Sequence, residues 1–522
     1  MDDARTAQTQ EPPEVVVKSD EQYAYGFIME VLTRGLYPDK LHVVREYVQN
    51  GFDAILELRK KGFGGDDTRI ELKVSPPSLF IYDNGVGMDA QRMAEYRYVG
   101  YSRKLTAESV GFRGIGKLSG ISAAEKIIVT TSPLGIPEQH KLIIDAEAML
   151  QHVERLKARG ENIALNQLIQ QYTSLETTQE DPNAHYTQIE LYKVRSDSLV
   201  LLDETRLAEY LSLTAPIDFN PTFQHGSQID QELREYVTDY ETAPIFVGEN
   251  QVFKPFLPNA KPPQWIFVWD EDNPANPNPL AFCWYCENMD KGQFPDEIRR
   301  GLFYRVKNFS VGDNQLPRIT LWRSSPERSF YFFGEVHVCD AGVIPSADRT
   351  NFEQNSSRER LYTKASEAIS RSLNRIAGKS SDTRRAIDFV RQAEATILHI
   401  QEEAMVGAIP AELKVPRIVA ISKAVENIQK RIQNAPEEFQ ERGRKAIEQG
   451  EILIRQIDQG KPTDSQKQSV IYDIKDELKL SDEARWVYET IISTLKSEFE
   501  GNLKQYERLI GQIHRQLRNR GV

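Results

Sequence analysis

The chain has 522 residues, of which 65 are Lys or Arg and 77 are Asp or Glu, so its net charge is −12. This length exceeds what one hydrophobic core can organise, and we expect about three domains. So acidic a chain is not a general polyanion binder. Its 40% hydrophobic and 27% charged residues exclude wholesale disorder.

No apolar run approaches the ~18 residues of a membrane span, and three cysteines in this length exclude a disulfide framework. The first residues are acidic and polar, unlike a signal peptide or a basic transit peptide. We therefore expect a cytoplasmic protein with no membrane partner.

The first part of the chain is predicted to be a flexible tail, residues 1–19, followed by an α/β domain to residue 198. Apolar residues at helical spacing predict a helix over 40–61, and an alternating pattern over 69–82 predicts a β-hairpin. A glycine-rich loop then leads to the strand KIIVTTS, a helical insertion, and a strand at 186–194.

Residues 199–375 are predicted to form a second α/β domain, with strands at 265–269, 280–286, 318–322 and 330–339. Residues 376–522 carry long helical patterns, broken at Pro410 and Pro436, and are predicted to be all-α. Near the end, apolar residues from Tyr488 to Leu517 alternate steps of four and three, which predicts a helical bundle or a coiled-coil dimer.

One polar stripe of the predicted 40–61 helix has the residue types of a phosphate-handling site. Glu46, Asn50 and Asp53 stand at i, i+4 and i+7, so they project from one face. A carboxylate and an amide oxygen one turn apart suit a hard cation that bridges phosphates, or a water that must lose a proton. The alternative is an ordinary solvated face.

Two further patches are rich in glycine. Asp83-Asn-Gly85-Val-Gly87-Met88 follows an apolar strand, where the aspartate can accept a hydrogen bond from an exocyclic amino group. The same residues would also suit a simple hairpin turn. Gly111-Phe-Arg-Gly114-Ile-Gly116-Lys117 precedes a helical pattern, and its backbone N–H groups could cradle a triphosphate.

Together, E-x-x-x-N-x-x-D-A, D-x-G-x-G and G-x-x-G-x-G resemble the GHKL ATPase superfamily of gyrase, heat-shock chaperones, histidine kinases and MutL. The resemblance implies an α+β protein that begins with a Bergerat-type ATP-binding α/β sandwich, in which helices cover one face of a mixed sheet. It also implies ATP and Mg²⁺ as cofactors, held between the Asn50 helix and a mobile lid.

The same resemblance assigns roles to residues of this chain. Glu46 would orient and deprotonate the attacking water, Asn50 would hold magnesium, and Asp83 would read adenine. The other ATP-binding residues that it implies are Asp53, Ala54, Gly85, Gly87, Met88, Ser102, Lys104, Gly111, Phe112, Arg113, Gly114, Ile115, Gly116, Lys117 and Thr187. Ser102 and Lys104 lie with Arg103 in a short lid, where a solvated basic cluster is the alternative interpretation.

The second domain is similar to the middle domain of the 90-kDa heat-shock chaperone, in FYRVKNFSV and FYFFGEVHVCDAGVIPSADRTNFEQN. Arg349 matches the arginine that reaches the γ-phosphate from that domain, which would make it the second catalytic residue beside Glu46. Glu353 stands where the family has glutamine, and its role stays open. The alternative for Arg349 is an ion pair with Asp348 or Glu353 at a helix start. The resemblance covers roughly residues 20–375.

The sequence thus predicts an ATP-hydrolysing conformational clamp that resembles a divergent 90-kDa heat-shock chaperone and acts as a homodimer. The alternative is a clamp like those of the MutL and MORC proteins, acting with DNA or with an effector partner, for example in phage defence or DNA processing. The acidic total charge favours the chaperone over nucleic-acid binding.

Cys283-x-x-Cys286 has the spacing of half a zinc site. Zinc needs four ligands, and the only other cysteine is Cys339, which lies on a separate predicted strand. We expect buried thiols in a strand instead.

Overall fold

The computed structural model describes residues 39–65, 67–97, 116–270, 278–290, 292–406 and 409–459. Within these ranges, no helix combines the length and the apolarity needed to cross a membrane. The chain divides into two compact units, whose described parts are residues 39–392 with 426–445, and residues 393–425 with 446–459.

The first unit begins with an eight-stranded mixed sheet. Its strands are β1 (Ile70–Ser75), β2 (Ser78–Asp83), β3 (Ala124–Ser132), β4 (Glu138–Asp145), β5 (Thr173–Gln179), β6 (Tyr186–Val194), β7 (Ile245–Val247) and β8 (Asn250–Val252). They lie in the order β5-β4-β3-β6-β2-β1-β7-β8, and the pairs are antiparallel except for β1 with β7. The helices that precede β7 in the chain are α1 (Leu41–Lys60), α2 (Ala90–Tyr96), α3 (Ala146–Arg159), α4 (Leu165–Gln171), α5 (Glu204–Thr214) and α6 (Gly226–Tyr236), with 3₁₀ turns at Gly116–Ser122 and Ser196–Leu202. Of these, α6 packs outside the core of this sheet, since its Ile229 and Leu233 are buried with Phe282 and Trp284.

Helix α1 lies across the sheet because its apolar residues recur at helical spacing. Val44, Val48 and Ile55 are fully buried in one hydrophobic core with strand residues such as Ile81 and Ile189. Burial of each such side chain contributes on the order of 1.5–3 kcal/mol. The helix is thus fixed on the sheet, with its polar stripe beside the end of β2.

The expected α/β sandwich is confirmed, as are the 40–61 helix and the 69–82 hairpin. The insertion between β3 and β6 differs from the prediction, since it contains the strands β4 and β5 as well as α3 and α4. Much of β5 is exposed and polar, so its sequence gives a weak strand signal. The sheet also continues past residue 198 through β7 and β8, while the predicted domain boundaries stay a prediction.

The second α/β region contains a five-stranded sheet. Its strands are β9 (Gln264–Val268), β10 (Ala281–Glu287), β11 (Gly301–Val306), β12 (Phe309–Val311) and β13 (Phe332–Val338), in the order β12-β11-β13-β10-β9. The prediction of a strand at 318–322 is wrong, because this stretch lies mainly in the helix α7 (Gln315–Leu321). A short run with Ile319, Thr320 and Leu321 is apolar and β-branched, and tertiary packing overrides that local preference.

A buried ionic network braces this second sheet. The Glu335 carboxylate of β13 lies 2.9 Å from Lys254 Nζ and 2.8 Å from Arg305 Nε, and all three side chains are almost fully buried. Cys283 and Cys286 are buried in β10, as expected for structural thiols, and burial raises the pKa of Cys286 to about 12.

The rest of the described chain is helical, as predicted. It contains α8 (Ser356–Ala365), a π turn (Ser366–Ser370), α9 (Arg371–Val406), α10 (Ala411–Arg431) and α11 (Glu437–Gln459). In the second unit, Gly450 lets α11 approach Ile421, Val425 and Ile397 closely. The predicted coiled-coil stripe, 488–517, and the tail of residues 1–19 lie outside the described residues.

Candidate functional site

The polar stripe of α1 faces the end of β2, as the helical spacing requires. Glu46 is largely buried, with its side chain 14% exposed, and Asn50 and Asp53 are partly buried. The next residue, Ala54, accepts a backbone hydrogen bond from Val86 at 3.3 Å. The stripe and the glycine-rich turn after β2 are therefore in direct contact.

Asp83, the last residue of β2, is buried next to this turn. Its Oδ1 accepts a hydrogen bond from the Gly85 N–H at 2.9 Å, which holds the carboxylate in place. Burial raises the pKa of Asp83 to about 7, although the Gly85 N–H favours the ionised form. A buried carboxylate with one partner retains acceptor capacity for an exocyclic amino group.

A threonine pair lies next to Asp83 in the sheet. Thr187 of β6 is the register partner both of Asp83 and of Thr131 on β3. The Thr131 hydroxyl lies 3.1 Å from that of Thr187, and it also accepts the Met88 N–H at 3.0 Å. Hydrogen bonds thus join Met88, Thr131 and Thr187, and Thr187 lies opposite Asp83 in the sheet.

Thr131 is a residue that the sequence analysis missed. Its role depends on the pairing of β3 with β6, whose residues are separated by more than fifty positions in the chain. A motif of neighbouring residues does not indicate which residues of β3 and β6 lie opposite each other. The alternation of KIIVTTS, combined with the strand at 186–194, is the signal from which it could have been found.

Gly87 makes the turn after Asp83 possible. Its φ is +67°, and a Cβ at this position would lie 1.9 Å from the carbonyl oxygen of Ser132. Only glycine fits such an approach without rearrangement. The residue therefore brings the D-x-G-x-G turn against the end of β3.

The described end of the glycine-rich loop also reaches Glu46. A Cβ at Gly116 would lie 1.9 Å from Glu46 Oε2, so the backbone passes directly beside the carboxylate. The Lys117 ammonium donates to the Glu95 carbonyl at 3.1 Å, and burial lowers its pKa to about 8. Of the predicted loop and lid residues, Ser102, Lys104, Gly111, Phe112, Arg113, Gly114 and Ile115 lie outside the described residues.

Arg349 reaches the same carboxylate from the second α/β region. Its Nε lies 3.9 Å from Glu46 Oε1, and its side chain is 8% exposed. Burial lowers the pKa of the guanidinium to about 10, and the charge of Glu46 opposes that shift. The guanidinium therefore remains charged at neutral pH.

The loop that carries Arg349 is held by short polar contacts. Arg349 has a φ of +56°, a left-handed conformation that costs a non-glycine residue on the order of 1 kcal/mol or more. The preceding Asp348 accepts hydrogen bonds from the Ser346 hydroxyl at 2.6 Å and the Thr350 hydroxyl at 2.8 Å. Arg45 of α1 donates to the Asp348 carbonyl at 3.1 Å.

The oxygen atoms on this face of α1 are of the kind that bind magnesium. Asn50 offers an amide oxygen one helical turn from Glu46, and proteins hold Mg²⁺ with one or two such oxygens together with phosphate oxygens and water. Chemically, the site combines the Glu46 carboxylate, which can accept a proton, with the Arg349 guanidinium beside it. The buried Asp83 carboxylate at the end of β2 adds a hydrogen-bond acceptor. These are the groups needed to bind a nucleotide and to hydrolyse its terminal phosphate.

Comparison with known proteins supports this chemistry. Residues 41–187 match the family described as histidine kinase-, DNA gyrase B- and HSP90-like ATPase. The chain is 24% identical over 179 residues to the chaperone protein HtpG of Actinobacillus succinogenes, covering 28% of each chain. It is 29% identical over 132 residues to HtpG of Verminephrobacter eiseniae, covering 21% of this chain and 20% of that one. The chain thus spans less than a third of the length of the curated relatives that it matches.

Proposed function

From the premise that residues 41–187 are an ATPase domain of the GHKL superfamily, of the HSP90-like kind, we propose that this chain binds and hydrolyses ATP as a divergent HSP90-type conformational clamp. The observation that carries the proposal is the meeting of Glu46 and Arg349, 3.9 Å apart, on α1 and on a loop of the second α/β region. Because the acid lies on a helix of the first α/β region and the cation on a loop of the second, hydrolysis is sensitive to the geometry between the two regions.

Each group has one role in the proposed reaction. Adenine lies at Asp83, whose carboxylate accepts the exocyclic amino group, next to Thr187. Asn50 would hold Mg²⁺, which would neutralise phosphate charge, and Gly116 and Lys117 would belong to the phosphate cradle. Glu46 orients the attacking water and accepts its proton, and Arg349 stabilises the charge that develops on the γ-phosphate.

The proposal is tested first at Glu46. We expect Glu46→Ala to abolish phosphate release and to leave ATP binding within about twofold of wild type, because the acid acts on water rather than on the nucleotide. Phosphate release measures the first effect and titration calorimetry with Mg·ATP the second. The matched control is Glu71→Ala, on the partly exposed side of β1.

Three outcomes separate the assignments. Hydrolysis by Glu46→Ala at the wild-type rate would contradict the role of this residue. Asp83→Asn is expected to abolish ATP binding, and normal binding by that variant would contradict the adenine site. Absence of any heat with wild-type protein at millimolar Mg·ATP would contradict the function itself.

The chaperone role, a homodimeric state and a cytoplasmic location belong to the same proposal. Suppression of the aggregation of an unfolded protein supports the chaperone. ATPase activity that is stimulated by DNA and falls steeply with salt would instead favour a clamp of the MutL or MORC kind. The net charge of −12 favours the chaperone.

A further inference from the structure

A second set of polar side chains lies beside the catalytic stripe of α1. His42, Arg45 and Gln49 stand at i, i+3 and i+7, so they share one face of the helix. Arg45 is 3% exposed and Gln49 is 1% exposed. Tyr210 of α5 meets this face, with its ring centroid 6.1 Å from that of His42. We call these four residues the polar cluster.

Several buried atoms of the polar cluster lack a protein partner. Within the described part of the chain, no hydrogen bond reaches His42 Nδ1, Arg45 Nε, the Tyr210 hydroxyl or either amide atom of Gln49. Native proteins satisfy nearly all such buried atoms. If these five atoms had no hydrogen-bond partner at all, the cost in free energy would be comparable with the whole stability of a typical domain. Ordered water is the partner that buried polar groups commonly use.

The polar cluster adjoins Glu46 along α1 and is hydrogen-bonded to the loop of Arg349. Arg45 precedes Glu46 in the chain and donates to the carbonyl of Asp348, the residue before Arg349. Burial raises the pKa of Tyr210 to about 12, and the charges of Arg45, Asp39, Glu46 and Arg349 also act on it. A shift of the polar cluster can thus reach Glu46 through α1 and Arg349 through the Arg45–Asp348 hydrogen bond.

We propose that the polar cluster is hydrated, and that its bound water holds Glu46 and Arg349 at the separation needed for turnover. Tyr210 and Gln49 are then positioning residues, which act on the reaction through the catalytic pair without touching ATP. This inference rests on the proposed function.

The test removes the Tyr210 hydroxyl with Tyr210→Phe. If that hydroxyl binds water, its loss lowers the melting temperature by a few degrees and lowers kcat by roughly two- to tenfold, with KM for ATP unchanged. If the hydroxyl binds no water, the melting temperature of Tyr210→Phe rises instead, because the substitution removes a buried polar group that has no partner. The control is Tyr236→Phe, at a tyrosine that is 39% exposed.

Gln49→Met serves as a second variant, since it keeps the length of the side chain and removes both amide atoms. We expect the same split, with a lower kcat and an unchanged KM. A melting temperature that stays equal or rises in both variants overturns the inference, and so does a wild-type kcat in both. If the wild type hydrolyses ATP normally, either of these results overturns only the inference about the polar cluster and leaves the proposed function intact. A wild type that hydrolyses no ATP overturns both proposals.

Discussion

Asp83 shows how one buried carboxyl makes the stability of the protein depend on pH. Its pKa in the folded protein is about 7, raised by burial above that of the unfolded chain. The native state therefore binds the proton more tightly, and its contribution to the free energy of unfolding falls as pH rises from about 4 to about 7. Above pH 7 the full cost of the buried charge, on the order of a few kcal/mol, is present.

We therefore expect Asp83→Asn to melt at a higher temperature than wild type at pH 8, and at nearly the same temperature at pH 4.5. The asparagine keeps an oxygen that can accept the Gly85 N–H but carries no charge. Calorimetric melting of both proteins at the two pH values measures the difference. A gap of equal size at pH 4.5 and pH 8 would show that charge is not its cause.

At the scale of elements, the pairing of β7 with β1 joins later parts of the chain to the nucleotide-binding sheet. Ile245 is fully buried and lies opposite Ile70 in a parallel ladder. We expect Ile245→Ala to lower the free energy of unfolding by about 2–5 kcal/mol, because it leaves a cavity in the core. Urea denaturation measures the loss.

The matched control for this prediction is Gln251→Ala, on the half-exposed side of β8. That variant should unfold like wild type. If Ile245→Ala also unfolded like wild type, β7 would not be part of the cooperative core of the sheet.

The sequence predicted α1 and the hairpin β1–β2 because their signals are local. Helical spacing fixes which residues of α1 share a face, and this placed Glu46, Asn50 and Asp53 together. Thr131 was not predicted, because its position depends on the register between β3 and β6. The strands β7 and β8 are only three residues each, too short for a periodic pattern. The seven-residue helix α7 was mistaken for a strand because its run with Ile319, Thr320 and Leu321 is apolar and β-branched.

At the scale of the whole chain, the candidate site combines residues of the first α/β region with Arg349, which lies on a loop of the second. Arg349 was placed from its resemblance to a family motif, and the polar cluster around Tyr210 and Gln49 was not predicted. No spacing in the sequence indicates that a residue of α5 meets α1, since that contact arises only from tertiary packing. The sequence therefore predicted the groups that are proposed to touch ATP, which stay a prediction, and it did not predict those that are proposed to position them.

We expect Arg349→Met to lower turnover by about 10²–10³-fold and to leave ATP affinity within about twofold, because the cation is proposed to act on charge that develops during hydrolysis. Single-turnover phosphate release and calorimetry separate the two quantities. Arg323→Met, at an exposed arginine of the same region, is the control. Wild-type turnover by Arg349→Met would leave this arginine with a structural role only.

The parallel ladder between β1 and β7 determines where an isolated ATP-binding fragment can be cut. A fragment that stops at residue 198 would lose β7 and leave the outer edge of β1 without its neighbour. Unpaired strand edges recruit strands from other molecules, so such a fragment would be prone to self-association. Extending it beyond Val252 retains β7 and β8, so that the edge on that side is the three-residue strand β8 rather than the six-residue strand β1, and a short edge recruits foreign strands less readily.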